Sequence, residues 1–226
     1  MKLSDKTIEI LKNFVNINTS LYFRKGSVLR TVDNDRCILA EAKIAEEFTG
    51  NFGIYELNQL LALLSLHKET PDITIEDNNL IIKGYGGRNK VVYRTCSPEL
   101  ITVAPEKELD SSGAEASFVL NKDDFDWIMK TASVIAAPNI IIESDGTNIS
   151  IVGTDVKDDA AKINSLVIGN GNGDTYKFIF KTHLFKMLSG NYDVSLFSKG
   201  LSHFSNKDMH LKYWIALEPG STFTKK

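Results

Sequence analysis

One order of elements is written twice along this chain, and that repetition limits the folds open to it. Ser4 is placed as a helix N-cap, and Thr7, Ile8, Leu11, Phe14 and Val15 then fall on one helical face. In the second half Asn121 is the matching cap, and Phe125, Ile128, Met129 and Ala132 share a face. Short strands follow each helix. Val28 to Val32 and Cys37 to Ile44 flank the turn Asp33-Asn34-Asp35, while Ile140 to Glu143 and Asn148 to Gly153 flank Ser144-Asp145-Gly146.

A second helical stripe comes next in both halves, Leu57, Leu60, Leu61 and Leu64 in the first and Phe180, Leu184, Met187 and Leu188 in the second. Strands then close each half. Asp72 to Glu76, Leu80 to Lys83 and Val91 to Thr95 answer to Asp193 to Phe197, Leu201 to Ser205 and His210 to Leu217. The segment from Pro98 to Ser117, with Pro105 and Ser111-Ser112-Gly113, reads as a linker. The expectation is an α+β fold of two similar domains, 1–108 and 109–226, each with two helices packed on antiparallel sheet.

Composition excludes several classes. The chain has 226 residues, and 26 basic against 29 acidic residues leave a net charge of −3. That balance argues against a strongly basic DNA binder that holds its target by charge alone. Apolar runs such as Leu60 to Leu64 fall far short of the roughly 20 residues a membrane span needs, and the opening Met-Lys-Leu-Ser-Asp-Lys lacks a signal-peptide core. Cys37 and Cys96 stand far apart, so no disulfide framework or Cys-x-x-Cys knuckle is written, and a reduced cytosol is the expected compartment.

Catalytic constellations are sparse. There is no G-x-x-x-x-G-K-[ST] loop and no G-x-S-x-G elbow. Gly84, Gly86 and Gly87 lead into a strand rather than a helix, which suits a hairpin turn better than a phosphate cradle. His67, His183, His203 and His210 lack a ligand spacing. Asp155, Asp158 and Asp159 read as a solvated loop without the backbone pattern of a calcium site. The expectation is therefore no enzyme, no cofactor and no metal.

The basic residues are better organised. Lys2, Lys6 and Lys12 lie opposite the apolar stripe of the first helix, with Glu9, Asn13 and Asn16 among them. Lys122 and Lys130 lie away from the Phe125 stripe, near Trp127, and Lys186 lies opposite Leu184. The second helix carries only Gln59 and Ala62 outward. Basic helical faces on an acidic protein describe segregated charge.

The opening MKLSDKTIEILKNFVNIN and the segment YELNQLLALLSL at 55–66 resemble the sliding clamp of T-even-type bacteriophages, over nearly the whole chain. HLKYWIAL at 210–217 is similar to the C-terminal strand of proliferating cell nuclear antigen, the cellular clamp. The resemblance implies a homotrimeric ring around duplex DNA, with twelve helices lining the hole and the sheets forming the outer wall. It implies tethering of a DNA polymerase, loading by an ATP-driven clamp loader and a further role in late viral transcription. All of this would take place in the cytoplasm of an infected bacterial host.

Within that resemblance, Lys2, Lys6, Lys12, Lys122, Lys130 and Lys186 are the expected DNA-facing residues, each positioning the duplex without base readout. Edge strands at Lys90 to Thr95 and Lys162 to Ile168 would pair between subunits, through Val91, Val92 and Tyr93 on one side and Ile163, Leu166 and Ile168 on the other. Ile101 and Val103 of the linker with Trp214, Ala216 and Leu217 would form a pocket for client peptides, although Trp214 also reads as a plain core aromatic. The competing readings are an oligomeric protein-binding scaffold that does not encircle DNA, and an enzyme built from dispersed residues such as Asp155, Asp158 and His183.

Overall fold

The computed structural model describes residues 1–107 and 109–226; Glu108, the expected domain boundary, lies outside them. The chain forms two compact units, Met1–Glu108 and Leu109–Lys226.

The first unit begins with α1 (Asp5–Ile17), whose first turn is closed by the Ser4 side chain accepting the Thr7 N–H at 3.3 Å. Its buried face is Thr7, Ile10, Leu11, Asn13, Phe14 and Ile17. The expected stripe is thus rotated. Ile8 and Val15 are half-buried at its margin, and Asn13, expected outside, is buried. Asn18 ends the helix by donating its amide to the Val32 carbonyl and accepting from the Ser20 N–H and hydroxyl.

Strands β1 (Leu21–Phe23), β2 (Gly26–Val32), β3 (Ile38–Phe48) and β4 (Phe52–Ile54) follow. The β2–β3 hairpin is held at its tip by the Asp33 carboxylate, which accepts the N–H groups of Cys37 and Ile38. Arg30 faces Glu41 across the pair, with Nε 2.6 Å from a carboxylate oxygen, an opposite-charge pair that favours this register. Helix α2 (Leu57–Ser65) buries the expected Leu57, Leu60, Leu61 and Leu64. An antiparallel meander of β5 (Asp72–Glu76), β6 (Asn79–Gly84) and β7 (Asn89–Arg94) completes the unit. Pro98–Leu100 is a single 3₁₀ turn.

The second unit runs β8 (Ala116–Leu120), α3 (Lys122–Val134), β9 (Asn139–Asp145), β10 (Asn148–Thr154), β11 (Asn164–Asn170), β12 (Thr175–Lys181), β13 (Tyr192–Phe197), β14 (Leu201–Asn206), β15 (Leu211–Ala216) and β16 (Thr222–Thr224). One antiparallel sheet has the order β11-β10-β9-β12-β16. A second antiparallel set joins β8 to β13, β13 to β14 and β14 to β15. Their shared core is aromatic, with Phe180, Phe185, Tyr192, Phe204 and Tyr213 in edge-to-face contacts. Helix α3 buries Phe125, Ile128 and Ala132. A side chain at Gly153 would put its Cβ 3.3 Å from that of Ala132, so glycine lets α3 approach β10.

Two expectations need correction. The linker ends earlier than Ser117, because Ala116 and Ser117 already pair with Leu196 and Ser195 in β8. The helix expected around Phe180, Leu184, Met187 and Leu188 does not form. Phe180 lies in β12, opposite Ile140, and Thr182–Leu184 is one 3₁₀ turn. Thr182 donates its N–H to the Pro138 carbonyl and its hydroxyl to that of Ala137, which fixes the chain where a helix would start. Farther on, Leu188 gives its N–H to the Tyr213 hydroxyl and takes the Tyr192 hydroxyl on its carbonyl. Tyrosines thus satisfy the backbone groups that a helix would pair internally. Among the described residues there are three α-helices, so a trimer of this chain brings nine rather than twelve.

Candidate nucleic-acid interface and assembly edges

The outward face of α1 is the most basic helical surface of the first unit. Lys6 and Lys12 are exposed on it with Asp5 and Glu9, and Lys2, expected on that face, is exposed in the extended segment before the helix. The helix start is pinned from below. The Thr7 hydroxyl donates to a Glu46 oxygen at 2.6 Å, and the Ser4 N–H donates to the other. Burial pushes the Glu46 carboxyl up, but these donors outweigh it and hold the group below its ordinary value. One basic residue escaped the sequence reading. Lys68, just past the end of α2, borders the same 290 Å³ hollow as Lys12. Its signal was its place beyond a helix C-terminus, where cations are favoured.

The outward face of α3 is mixed. Lys122 and Lys130 are exposed, and Asp123 and Asp124 occupy the first turn, where they complement the helix dipole. Lys122 is tied to Asp126 one turn on, with Nζ 2.8 Å from the carboxylate. That hydrogen bond holds the lysine above and the aspartate below their ordinary values. Lys186, expected on a fourth helix, sits half-exposed in the irregular segment after the 3₁₀ turn. It therefore shares no helical face with another lysine.

Strand β7 is an outer strand of the first unit's meander, and β11 is an outer strand of the five-stranded sheet. The pleat divides their residues. In β7, Tyr93 is buried and gives its hydroxyl to the Glu56 carbonyl, whereas Val92 is exposed and Val91 half-buried. Around β11, Ile163 and Val167 are exposed, and Leu166 and Ile168 are half-buried.

Trp214 is 1% exposed and stacks on His203, its cross-strand partner, at 4.9 Å between ring centroids. It is therefore not an open pocket wall, which corrects that expectation. Ala216 and Leu217 are half-buried, as are Ile101 and Val103 in the first unit. Asp155 is half-buried and Asp158 and His183 are exposed, and among the described residues no group of three His, Cys, Asp or Glu is set to hold a metal.

Residues 2–103 match the family of DNA polymerase processivity factors, and residues 117–219 match the C-terminal domain of gp45 sliding clamps. A sliding clamp of Vibrio phage KVP40 is 32% identical over 96% of this chain and 99% of its own length. The chain belongs to the phage sliding-clamp family. The sliding clamp of Enterobacteria phage T4 is 30% identical over 98% of this chain and 99% of its own length. A solved structure of A. fulgidus PCNA with the C-terminal region of FEN-1 superposes with a TM-score of 0.68. It is 15% identical and covers 95% of this chain and 96% of that one. The fold is thus two repeated clamp domains of the PCNA kind, and the family's members are processivity factors of phage DNA replication rather than enzymes.

Proposed function

We propose that this chain closes as a homotrimer around duplex DNA and tethers the phage DNA polymerase to its template. The observation that carries the reading is the match of both halves to clamp-family domains at 32% identity to a whole phage clamp. A ring holds DNA by topology, so weak, screened attraction suffices and strong phosphate contacts would hinder sliding. Lys6 and Lys12 of α1 and Lys2 just before it, with Lys122 and Lys130 of α3, supply that attraction, and Lys186 contributes from its loop. Tethering raises processivity through the effective concentration of polymerase at the primer end.

Ring closure would use the outer strands, with Val91, Val92 and Tyr93 of β7 meeting Ile163, Leu166 and Ile168 around β11 of the next subunit. Pairing would remove two exposed strand edges. Opening would need an ATP-driven loader supplied by other chains, since this chain carries no nucleotide-binding motif. Client peptides would touch Ala216 and Leu217 beside the buried Trp214, and Ile101 and Val103 of the connecting segment. The same tethering would serve late viral transcription, in the cytoplasm of the infected host.

The test is polymerase processivity on a primed circular template with the cognate polymerase and loader. Longer products that disappear when the template is linearised with free ends support a topologically held ring. Unchanged product length with folded trimer would overturn the reading in favour of a scaffold that never encircles DNA.

A further inference from the structure

We propose that Arg24 and Arg30 are positioning residues, which hold the connecting segment 101–107 in a fixed course and so set how tightly a client polymerase docks on Ile101 and Val103. The proposal rests on the client reading above and adds to it the side chains that shape that surface before the client arrives.

After the 3₁₀ turn at Pro98–Leu100 the segment has no helix or strand of its own until β8. It is nonetheless tied to the first unit along its length. Cys96 exchanges backbone hydrogen bonds with Gly53 just before it. Ile101 packs on Gly53, where a Cβ would lie 3.1 Å from its Cδ1. Thr102 donates its hydroxyl to Asn34 Oδ1, at the tip of the β2–β3 hairpin, at 2.9 Å. Arg24 donates Nη2 to the Ala104 carbonyl at 2.8 Å, and Arg30 donates Nη1 to the Glu106 carbonyl.

The two carbonyls belong to alternate residues, which lie on one side of an extended chain. Ala104 is buried, whereas Val103 is half-buried and Pro105 exposed. Both arginines are themselves held. The Arg24 guanidinium lies 5.4 Å from the centre of the Tyr22 ring, and Arg30 Nε is 2.6 Å from the Glu41 carboxylate.

Lysine would not substitute. A guanidinium presents several donors in a rigid fork, so one group serves a carboxylate and a carbonyl together. Arg24 gives its Nε to Glu106 Oε1 at 3.1 Å, but that carboxylate is 80% exposed. An ion pair so open to water adds little. The carbonyl bonds are what fix the segment. A segment ordered beforehand spares the client the cost of ordering it on binding.

The test compares the affinity of the cognate polymerase for assembled trimers of wild-type, R24K, R24A and E106A chains, with hydrogen exchange read over residues 101–107. R24K and R24A are expected to speed that exchange and to weaken polymerase binding by about tenfold, while sedimentation and circular dichroism stay those of the wild-type trimer. R24K keeps the charge and is not expected to rescue. E106A removes only the exposed ion pair and is expected to change affinity by less than about twofold. Faster exchange with undiminished polymerase affinity, or unchanged exchange in both Arg24 variants, would overturn the proposal and leave the client reading standing. A loss in E106A as large as in R24A would assign the effect to the exposed charge and overturn it as well. Undiminished polymerase affinity in a folded V103D trimer would overturn the client reading itself.

Discussion

The Glu46 carboxylate on β3 takes the Thr7 hydroxyl at 2.6 Å and so fastens the first turn of the most basic helix to the sheet beneath it. Ser4 joins the same carboxylate through its N–H while its own hydroxyl caps Thr7. Ser4 and Thr7, within one turn of each other and 39 or more positions from Glu46, thus fix with it where α1 begins. The lysines ride on an anchored helix rather than a frayed one.

That anchor is pH-dependent. The folded Glu46 carboxyl sits below its ordinary value, so the stability it adds is present above the unfolded value and is lost as pH falls through the folded one. E46Q is expected to cost about 1 kcal/mol at neutral pH, after allowance for the group's partial exposure. The deficit should close as pH falls below the ordinary glutamate value of about 4.3 and wild-type Glu46 becomes protonated. Thermal unfolding of both proteins across that fall in pH checks it, and a constant gap would show that the ionised carboxylate is not what matters.

Gly53 is a second fixed point. It exchanges backbone hydrogen bonds with Cys96, and a Cβ there would lie 2.7 Å from the Cys96 carbonyl oxygen. Neither backbone can move without breaking the bridge. G53A is expected to destabilise the first unit by about 1–3 kcal/mol, readable as a lower urea midpoint. A cavity-neutral change such as Cys96→Ala should cost less.

Replacing Lys2, Lys6 and Lys12 together by Ala is expected to shorten the residence of loaded rings on circular DNA and to flatten its salt dependence. The flattening should be at most about 0.9 in logarithmic slope per lysine, the value for a full phosphate contact. D126N frees Lys122 from its intrahelical partner and is expected to lengthen residence at low salt. Equal residence for all three proteins from low to high salt would remove α1 and α3 from the DNA-facing surface.

Y213F removes the hydroxyl that accepts the Leu188 N–H. A net loss of about 1 kcal/mol is expected, with faster hydrogen exchange confined to the residues around Leu188. If 184–190 instead formed a helix, that amide would be held by its own segment and the exchange rate would not change.

Much of this architecture was legible without coordinates because it depends on local chemistry. The leucine stripe of α2 has the helical period, and its four residues are the ones buried. Asp33 and the residues after it spell a turn, and the structure closes a hairpin there. The outer strands at 89–94 and 164–170 lie where the clamp resemblance put edge strands, Lys90 to Thr95 and Lys162 to Ile168. The repeated order itself declared two similar domains.

What tertiary structure decided is seen at Phe180, Asn13 and Trp214. The spacing of Phe180, Leu184, Met187 and Leu188 fits a helix as well as it fits a strand running into a turn, because a short apolar run has no distinctive period. Pairing of β12 with β9 and the tyrosine hydroxyls on Leu188 settle the matter, and those partners are distant in sequence. Asn13 lies inside rather than outside because the packing of α1 rotates its buried face by part of a turn. Trp214 reads equally as pocket wall or core until His203, on the neighbouring strand, covers its ring. Periodicity and turn chemistry determine which elements form and in what order; the partner each surface finds depends on contacts between distant residues, which only the folded chain supplies.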